Sequence, residues 1–568
     1  MKEHLKNIVG FVMSWKLMFY SFLIALTLPN ILLSFTEQAT LLERVTNVIL
    51  PFGFYYFLIT LRRSIGVMVW VLLPFSLMAS VQVVLWTMDG RSAIGQDMFL
   101  NFMAANQSES GELLGSMLGL IILSGILYIL PLVLAIIELT RKKHLSYRFI
   151  SDNRKIAVGV FAIGLSMLGT CYATDDRYEM QKSVYPINAY VNVYEAYWRF
   201  DKIQSHHVTS SRFSYNATSS HPDNQKEIYI LVLGETSRAC NWQLYGYGRE
   251  TNPLLSQRDD ILVINKVLTE SNTTIKSVPM LLTPASAGNL DDIFNYKSLI
   301  SAFKEAGFVT SFISNQTPNP YFLVDKMGRE ADYTYFIKDT EDKYGVLYDD
   351  MALLGWVKNE LQRGDEKLLI VLHSYGSHYC YNKRYPQQFA HFTPDEPNTL
   401  DEECRASLIN AYDNTIRYTD MFIDRLINLI DDENVVSAVM YVSDHGEEIF
   451  DDERKLILHS SAIPSYCQLH VPMLLWISPE YIEIYPNKLI DGLCNLDCNI
   501  SSSLSVFHTT LDLAGVNTPY LKAEYSVLNP SLIDCKRLYL DDKYVAVPLK
   551  DAGLNTKDFE RLRGFNLN

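Results

Sequence analysis

The chain has 568 residues, a formal net charge of -15, and a mean hydropathy of +0.02 although 20% of its residues are charged. The negative charge argues against a nucleic-acid partner, because phosphate backbones are bound through lysine and arginine. The mean hydropathy is high for a soluble protein of this charge, and the length allows more than one domain.

Apolar residues are concentrated before residue 174, in five long segments. Each approaches or exceeds the ~20 residues that a helix needs to cross a bilayer, and polar loops separate them. The pattern predicts a domain of five transmembrane helices over residues 1–173, rather than the buried helices of a soluble protein. The predicted spans are Leu17–Phe35, Val45–Leu61, Gly66–Trp86, Leu114–Leu139 and Ile156–Ala173.

Lysine and arginine are distributed unevenly among the loops between these segments. The amino terminus and the second and fourth loops are rich in them, whereas the first and third loops each hold one arginine. Because cytoplasmic loops carry the excess of positive charge, we expect a cytoplasmic amino terminus and residues 174–568 on the opposite side of the membrane. Seven of the eight cysteines lie in that exported part, where disulfides can form. Their pairing is not determined by spacing, and Cys380–Cys404 and Cys494–Cys498 are two of the options.

Residues 174–225 are predicted to connect the two domains. Tyrosine, tryptophan and phenylalanine recur at roughly helical spacing within residues 183–205, which is typical of a helix at the membrane boundary or packed on the exported domain. Residues 206–225 are polar and are expected to form a flexible linker.

From residue 226 to 568, predicted strands alternate with helical patterns, which favours an α/β domain with a mostly parallel central sheet. Three strand segments are short and apolar, as in strands buried on both faces: Glu227–Thr236, Lys367–His378 and Val436–Glu447. The amphipathic pattern of Leu408–Ile430 predicts a long helix before the third of them.

Each of these three segments ends in side chains that bind metals. Glu235 ends the first, His373 and His378 end the second, and Asp444 and His445 end the third. Ligands in open α/β sheets gather at the carboxyl ends of the strands. An Asp-His turn can instead cap a helix. Three strands that each end in a side chain able to bind a metal nevertheless favour a metal site.

Two carboxylates and one imidazole suit zinc better than magnesium. Three protein ligands leave a position for a nucleophile whose pKa the metal lowers. A hydroxyl at a helix start would serve, because a helix N-terminus favours the charge of a phosphoryl group. Thr273 and Thr274 precede the helical pattern of Ile275–Leu282. The residues alone neither distinguish between these two threonines nor favour them over the other hydroxyls.

With these motifs in place, the sequence resembles the membrane phosphoethanolamine transferases of Gram-negative bacteria, which belong to the alkaline phosphatase/sulfatase superfamily. The similarity extends over the whole chain, from the spans to the exported domain. Its motifs are GETSRACNWQLYGYGRETNP from Gly234, TTIKSVP from Thr273, GSH from Gly376, INAYDNTIRYTD from Ile409, SDHGE from Ser443, LH from Leu458 and FHTTLDLAGV from Phe507.

The resemblance implies a zinc site and a set of substrate-binding groups. Its zinc ligands map onto Glu235, Thr274, Asp444 and His445, with Thr274 as the nucleophile and one tightly bound Zn²⁺; a second ion is left open. His378 and His459 map onto family histidines that hold the substrate phosphate, a second zinc or a catalytic proton. Glu447 matches a residue near the ethanolamine amine, and Asn101 and Glu109 match a segment that meets the donor headgroup.

The implied reaction moves phosphoethanolamine from phosphatidylethanolamine to lipopolysaccharide, at a lipid A phosphate or a core sugar, through a phosphoethanolamine-threonine intermediate. The implied setting is a monomer in the bacterial inner membrane with a periplasmic catalytic domain. Two alternatives are a glycerophosphate transferase of the lipoteichoic acid synthase type and a non-catalytic membrane sensor. A formylglycine-dependent sulfatase is disfavoured because Cys240 has no matching motif.

The chain departs from the family pattern in two places that bear on the site. Where the family often places a disulfide around the nucleophile turn, this chain has Glu270 and Met280, so packing is expected to hold Thr274 instead. A family lysine expected beyond the strand that ends near Ser314–Gln316 has no evident counterpart.

Overall fold

The computed structural model describes residues 15–36, 39–86, 94–104, 118–142, 144–175, 178–338, 349–397 and 399–567. The chain divides into two compact units, Met1–Tyr197 and Trp198–Asn568. The described helices before residue 210 are Trp15–Thr36, Leu41–Ile59, Ile65–Val71, Leu73–Trp86, Gln96–Ala104, Leu118–Arg141, Tyr147–Thr174, Met180–Ser183 and Ile187–Thr209.

Small residues allow close helix packing in the first unit. A Cβ on Gly53 would lie 2.7 Å from the Cα of Phe161, and a Cβ on Gly164 would lie 2.7 Å from the Cα of Leu50. Helices Leu41–Ile59 and Tyr147–Thr174 therefore approach each other backbone to backbone at these two positions. Close contacts of this kind are typical of helices that pack within a membrane.

Length and apolar composition identify which described helices could cross a membrane. Three described helices are long and apolar enough: Trp15–Thr36, Ile121–Arg141 and Tyr147–Thr174. A fourth candidate is added if Ile65–Val71 and Leu73–Trp86 form one broken span. Only the described residues are covered by this test, and the count of five spans stays a prediction.

The third predicted span, Gly66–Trp86, is not one continuous helix. It is broken at Leu72, and its two helices meet at an angle of 67°. Pro74 explains the break, because proline has no N–H to donate to the carbonyl of Trp70 and its ring would clash with that carbonyl. As the second residue of a new helix, Pro74 needs no such hydrogen bond.

The second unit contains a seven-stranded sheet. Numbered along the chain, its strands are β1 Glu227–Gly234, β2 Ile261–Val263, β3 Val309–Ser314, β4 Tyr333–Phe336, β5 Lys367–His373, β6 Val436–Ser443 and β7 Met473–Ile477. Their spatial order is β2-β7-β6-β1-β5-β3-β4. Strands β6, β1, β5, β3 and β4 run parallel, and β7 is antiparallel to both β6 and β2.

The prediction of a mostly parallel α/β sheet is confirmed. Every residue of β1, β5 and β6 is buried. Alternate side chains of β1 enter two different cores: Leu231 and Leu233 lie in one, whereas Ile230 and Val232 lie in the other. Both faces of the sheet are therefore covered, which explains why the apolar residues of these strands form nearly continuous runs instead of occupying every second position.

Helices and short strand pairs surround this sheet. The helices of the second unit after residue 210 are Thr274–Leu282, Leu299–Glu305, Leu323–Gly328, Ala352–Leu361, Arg405–Asp431, Tyr466–Leu469, Pro479–Ile484, Pro486–Cys494, Ser502–Leu513 and Thr556–Arg561. The paired strands are Thr218–Ser219 with Val516–Asn517, Lys266–Leu268 with Asn499–Ser501, Glu448–Ile449 with Ile457–Leu458, and Leu538–Leu540 with Ala546–Pro548.

The polar segment 206–225, expected to be a flexible linker, is instead packed within the second unit. Thr218 and Ser219 form the strand pair with Val516–Asn517. Tyr215 is completely buried, and its hydroxyl donates to the carbonyl of Lys297 at 2.6 Å. Polar composition was misleading here because backbone pairing and one buried aromatic ring are enough to anchor the segment.

Strand register places the ends of β1, β5 and β6 together. Leu233 pairs with His373, and Gly234 pairs with Ser443. The residues that follow, Glu235 after β1 and Asp444 after β6, therefore emerge side by side at the carboxyl edge of the sheet. The N–H of Asp444 donates to the carbonyl of Gly234 at 3.1 Å, which extends the pairing by one step.

Candidate active site and metal centre

Four side chains meet at the carboxyl edge of the sheet. Thr274 Oγ1 lies 3.1 Å from Glu235 Oε1 and 3.1 Å from His445 Nε2. His445 Nε2 lies 3.6 Å from Glu235 Oε1 and 3.4 Å from Asp444 Oδ2. Glu235, Asp444 and His445 are at most 1% exposed, whereas Thr274 is partly exposed.

The distances between these donor atoms fit a zinc ion. Zinc bound tetrahedrally at ~2.0–2.1 Å has ligand atoms about 3.3–3.4 Å apart. Thr274 and His445 each lie 3.1 to 3.6 Å from Glu235 or from each other, and His445 lies 3.4 Å from Asp444. One imidazole and two carboxylates are also donors that zinc accepts.

The charges of the buried side chains also favour a cation. Burial, together with the negative charge of Glu235, raises the pKa of Asp444 to about 7. Burial also opposes ionisation of Glu235, but the nearby His445 and His378 outweigh it and hold the pKa of Glu235 at about 2. Two adjacent buried carboxyl groups cannot both ionise cheaply unless a positive charge lies between them.

The structure distinguishes the two threonines that the sequence left open. Thr273 is buried at the N-cap of helix Thr274–Leu282, and its hydroxyl lies 3.4 Å from that of Ser271. Thr274 is the first residue of the helix and directs its hydroxyl at Glu235 and His445. Thr274 is therefore the hydroxyl that lies among the candidate metal ligands.

A strained turn positions the carboxylate of Glu235. Thr236 has a φ of 58°, a left-handed conformation that is unfavourable for a β-branched residue. Its N–H donates to Asp444 Oδ1 at 3.1 Å and its hydroxyl donates to Glu235 Oε1 at 2.7 Å. The hydroxyl of Tyr412 donates to the carbonyl of Thr236 at 2.7 Å and accepts from the N–H of Arg238 at 2.9 Å. The INAYDN motif thus supports the turn through Tyr412, a role that sequence pattern does not predict.

The two further predicted histidines lie beside this cluster. The ring of His459 is 4.5 Å from that of His445 and 6.0 Å from that of His378. His459 Nδ1 lies 3.3 Å from Glu447 Oε1. Burial and the nearby His445 lower the pKa of His459 to about 3, and burial lowers the pKa of His378 as well. Burial raises the pKa of the Glu447 carboxyl to about 8.

The predicted donor-binding residues of the first unit cannot be placed in the same way. Asn101 lies in helix Gln96–Ala104, and Glu109 lies outside the described residues. Their roles stay predictions.

The sheet and the residues at its carboxyl edge match a known family. The sulfatase family profile matches residues 227–516, which is just over half of the chain. This chain belongs to the sulfatase family. The match begins at β1 and extends beyond β7, so this sulfatase-family domain includes Glu235, Thr274, Asp444 and His445.

Curated relatives of this sulfatase-family chain carry transferase names. It is 31% identical over 329 residues to the phosphoethanolamine transferase EptA of Salmonella typhimurium (strain LT2), covering 56% of this chain and 57% of the relative. It is 31% identical over 282 residues to the Kdo(2)-lipid A phosphoethanolamine 7''-transferase of Escherichia coli (strain K12), covering 48% of each. The matched part is thus about half the length of these relatives. The names of these relatives confirm the resemblance to phosphoethanolamine transferases that was inferred from the motifs.

Solved structures show the same fold. The integral membrane protein lipooligosaccharide phosphoethanolamine transferase A (EptA) from Neisseria meningitidis matches with a TM-score of 0.68 at 23% identity, covering 89% of this chain and 97% of that one. The C-terminal periplasmic domain of EcEptC from Escherichia coli, solved in complex with Zn, matches with a TM-score of 0.54 at 27% identity, covering 60% of this chain and 97% of that one.

Gln316 is a site residue of this sulfatase-family domain that the sequence did not predict. Its Nε2 lies 3.1 Å from Glu235 Oε2, 3.0 Å from the carbonyl of Ser374 and 3.0 Å from Nε2 of His373. Burial lowers the pKa of His373 to about 4, so this imidazole is neutral and can accept the hydrogen bond. Gln316 follows the carboxyl end of β3 by two residues, which is the signal that could have identified it.

We expect Gln316→Glu to weaken zinc binding about 10- to 100-fold, the usual range for groups that orient metal ligands. The new carboxylate would repel Glu235 and could not donate to Ser374. Gln316→Met, which removes the hydrogen bonds without adding charge, should lose less. The measurement is a zinc titration against a chromophoric chelator. Thr317→Glu adds the same charge at an exposed neighbouring position and should bind like wild type. Wild-type affinity in Gln316→Glu would contradict this role.

Hydrogen bonds reinforce the segment around Thr274, where the resemblance led us to expect packing in place of a disulfide. The buried carboxyl group of Glu270 accepts from the N–H of Ala287 at 2.6 Å and from the hydroxyl of Ser501 at 3.0 Å. Asn272 Nδ2 donates to the carbonyl of Ser461 at 2.9 Å. Met280 is buried in the core, as packing alone would require. The expectation that only packing holds Thr274 is therefore incomplete, because Glu270 and Asn272 also anchor its segment.

Proposed function

We propose that this chain transfers phosphoethanolamine from phosphatidylethanolamine to lipopolysaccharide, at a lipid A phosphate or a core sugar, with Thr274 as the nucleophile. The observation that carries the proposal is the position of Thr274 Oγ1, 3.1 Å from both Glu235 and His445 within a buried cluster that fits zinc. The names of the relatives supply the transferred group, and the zinc complex of the EcEptC domain supports the metal.

The residues would divide the reaction as follows. Glu235, Asp444, His445 and Thr274 would hold one Zn²⁺, which would supply the positive charge that lowers the pKa of a hydroxyl beside it. Thr274 Oγ1 attacks the phosphorus and forms phosphoethanolamine-threonine as diacylglycerol leaves. An acceptor oxygen of lipopolysaccharide then attacks the same phosphorus and releases Thr274.

The groups beside Thr274 suit the charge and protons of these steps. His459 and His378 are neutral, so one of them can accept the proton that Thr274 loses. The imidazolium so formed would then protonate the leaving alkoxide of diacylglycerol. We assign Glu447 to binding of the ethanolamine amine. The positive charge of the amine would stabilise the ionised carboxylate of Glu447. Asn101 and Glu109 are assigned to the donor headgroup. A second zinc near His378 and His459 is left open.

A membrane anchor fits lipid substrates at both steps. We assign residues 1–173 to a transmembrane domain of five helices, 174–225 to a connector and 226–568 to a periplasmic catalytic domain of a monomer in the inner membrane. Such an anchor confines the catalytic domain to the layer that contains donor and acceptor. Adding an amine to an anionic acceptor lowers the negative surface charge, so resistance to cationic peptides such as polymyxin is an expected consequence.

The proposal is tested by trapping the intermediate. The purified full-length chain is incubated with phosphatidylethanolamine vesicles without acceptor, digested and analysed by mass spectrometry. Phosphoethanolamine on the Thr274 peptide is the expected result. Vesicles of phosphatidylglycerol are the matched donor control: glycerophosphate on that peptide would instead identify a glycerophosphate transferase. No modification with either donor would favour a non-catalytic sensor.

A further inference from the structure

Two thiols away from the metal ligands face each other in the second unit. Cys240 Sγ and Cys467 Sγ are 3.4 Å apart, although 227 positions separate the residues in the chain. Cys240 is partly exposed, whereas Cys467 is 1% exposed in the short helix Tyr466–Leu469. Neither Cys240 nor Cys467 is bonded to another cysteine in the structure.

The two pairings named as options from the sequence, Cys380–Cys404 and Cys494–Cys498, are not formed in the described residues. Cys404 Sγ lies 3.5 Å from the hydroxyl of Thr399, and Cys498 Sγ donates to Asn495 Oδ1 at 3.7 Å. These thiols thus have polar neighbours of their own. Short separation along the chain did not predict which thiols meet, because the fold brings distant segments together.

A metal ion is the competing use of Cys467. Its sulfur forms a cluster with Glu448 and Asp451 in which the donor atoms lie within 4.8 Å of one another. Arginine already supplies the positive charge there: Arg238 Nη1 pairs with Asp451, and Arg561 Nη1 lies 3.1 Å from Cys467 Sγ. Two guanidinium groups beside these donors disfavour a cation. The hydrogen bond between the two thiols and the charge of Arg238 lower the pKa of Cys240, which favours the thiolate that begins disulfide exchange.

The two cysteines belong to segments that carry or support metal ligands. Cys240 follows Glu235 by five residues. The segment of Cys467 packs on the turn after β6: Gly446 N–H donates to the carbonyl of Gln468 at 2.8 Å. A Cβ on Gly446 would lie 2.0 Å from the carbonyl oxygen of Cys467, so the contact leaves no room for a side chain. A bond between the sulfurs would therefore link the segment that follows Glu235 to the segment that packs on the turn of His445.

We propose that Cys240 and Cys467 form a disulfide in the mature protein. The oxidant is a small-molecule or protein disulfide. The partly exposed Cys240 thiolate attacks it and expels one thiol; the Cys467 thiolate then attacks Cys240 Sγ and expels the second. The pair loses two protons and two electrons, and the oxidant is reduced to two thiols. The bond closes a long loop between distant segments, where a disulfide restricts the unfolded chain most.

Sequential labelling of the full-length protein tests this directly. Protein purified without reductant and treated with glutathione disulfide is unfolded in iodoacetamide, then reduced and labelled with N-ethylmaleimide. We expect N-ethylmaleimide on Cys240 and Cys467, and one cross-linked peptide that contains both before reduction. Iodoacetamide on both residues, or a cross-link of either to another cysteine, would overturn the proposal. If a chelator alone, without reductant, made Cys240 and Cys467 reactive toward iodoacetamide, the proposal would also be overturned. A bound metal would then explain why the two thiols were protected.

Thermal unfolding distinguishes the stabilising effect of the disulfide from the effects of changing the two side chains themselves. Cys240→Ser and Cys467→Ser should each lower Tm by at least about 5 °C, and the double variant should lose no more than one single variant. Reductant should lower the Tm of wild type to that of the variants and leave the variants unchanged. Cys494→Ser, at an exposed position, is the matched control and should keep the wild-type response. Additive losses with no effect of reductant would contradict the bond. Because neither readout measures transfer, this proposal can fail while the transferase proposal stands.

Discussion

Thr274→Ala is expected to lower phosphoethanolamine transfer by at least about a thousandfold, because the reaction would lose the oxygen that attacks phosphorus. The partly exposed hydroxyl of Thr274 is 3.1 Å from Glu235 Oε1 and 3.1 Å from His445 Nε2. Removing it leaves Glu235, Asp444 and His445 in place, so the variant should remain folded and retain zinc.

Two variants serve as controls for this loss. Thr274→Ser keeps the hydroxyl and should retain measurable transfer. Thr273→Ala removes a buried hydroxyl from the adjacent residue, whose side chain makes no capping hydrogen bond, and should cost less than about tenfold in rate. The measurement is transfer from labelled phosphatidylethanolamine, with zinc content and circular dichroism recorded for each protein. Equal activity of Thr274→Ala and wild type would end the proposed role of Thr274.

Asp444→Asn is expected to reduce bound zinc and to lower transfer by more than about a hundredfold, since ligand losses exceed those of the groups that support ligands. The side chain of Asp444 accepts from the N–H groups of Thr236 and His445, at 3.1 and 2.7 Å, and asparagine can still accept those bonds through its oxygen. The change therefore removes one negative charge from the cluster while preserving much of its shape. Glu235→Gln should act in the same way.

A second buried carboxyl group provides a control for Asp444→Asn. It shows whether loss of zinc follows from changing any buried carboxyl group or only from changing a metal ligand. Asp420 accepts from the N–H groups of Leu254 and Leu255, at 2.9 and 3.1 Å, and burial raises its pKa to about 6. Asp420→Asn should therefore keep bound zinc. Zinc per mole of protein is measured by mass spectrometry, and wild type treated with a chelator should lose transfer and regain it with added zinc. Full zinc content in both Asp444→Asn and Glu235→Gln would contradict the assigned ligands.

Local patterns were enough for much of the fold. The apolar runs that end at Gly234, His373 and Ser443 predict buried parallel strands, because a strand covered on both faces is apolar over most of its length. Parallel strands share one carboxyl edge, so the order of residues along the chain is enough to group the polar side chains just beyond them. Resemblance to a family then selected Thr274 from two adjacent threonines. The break at Leu72 was not predicted, although Pro74, which explains it, is only two residues away in the sequence.

The remaining features depend on contacts between distant segments. Gln316 and Glu235 are 81 positions apart, Tyr412 and Thr236 are 176 apart, and the two facing thiols are 227 apart. Composition and periodicity describe only neighbours within a few residues, whereas these hydrogen bonds and sulfur contacts arise from strand register and helix packing. Pattern therefore predicts which residue types line the edge of the sheet. Which side chains orient Glu235, and which cysteines meet, follows only from the folded chain.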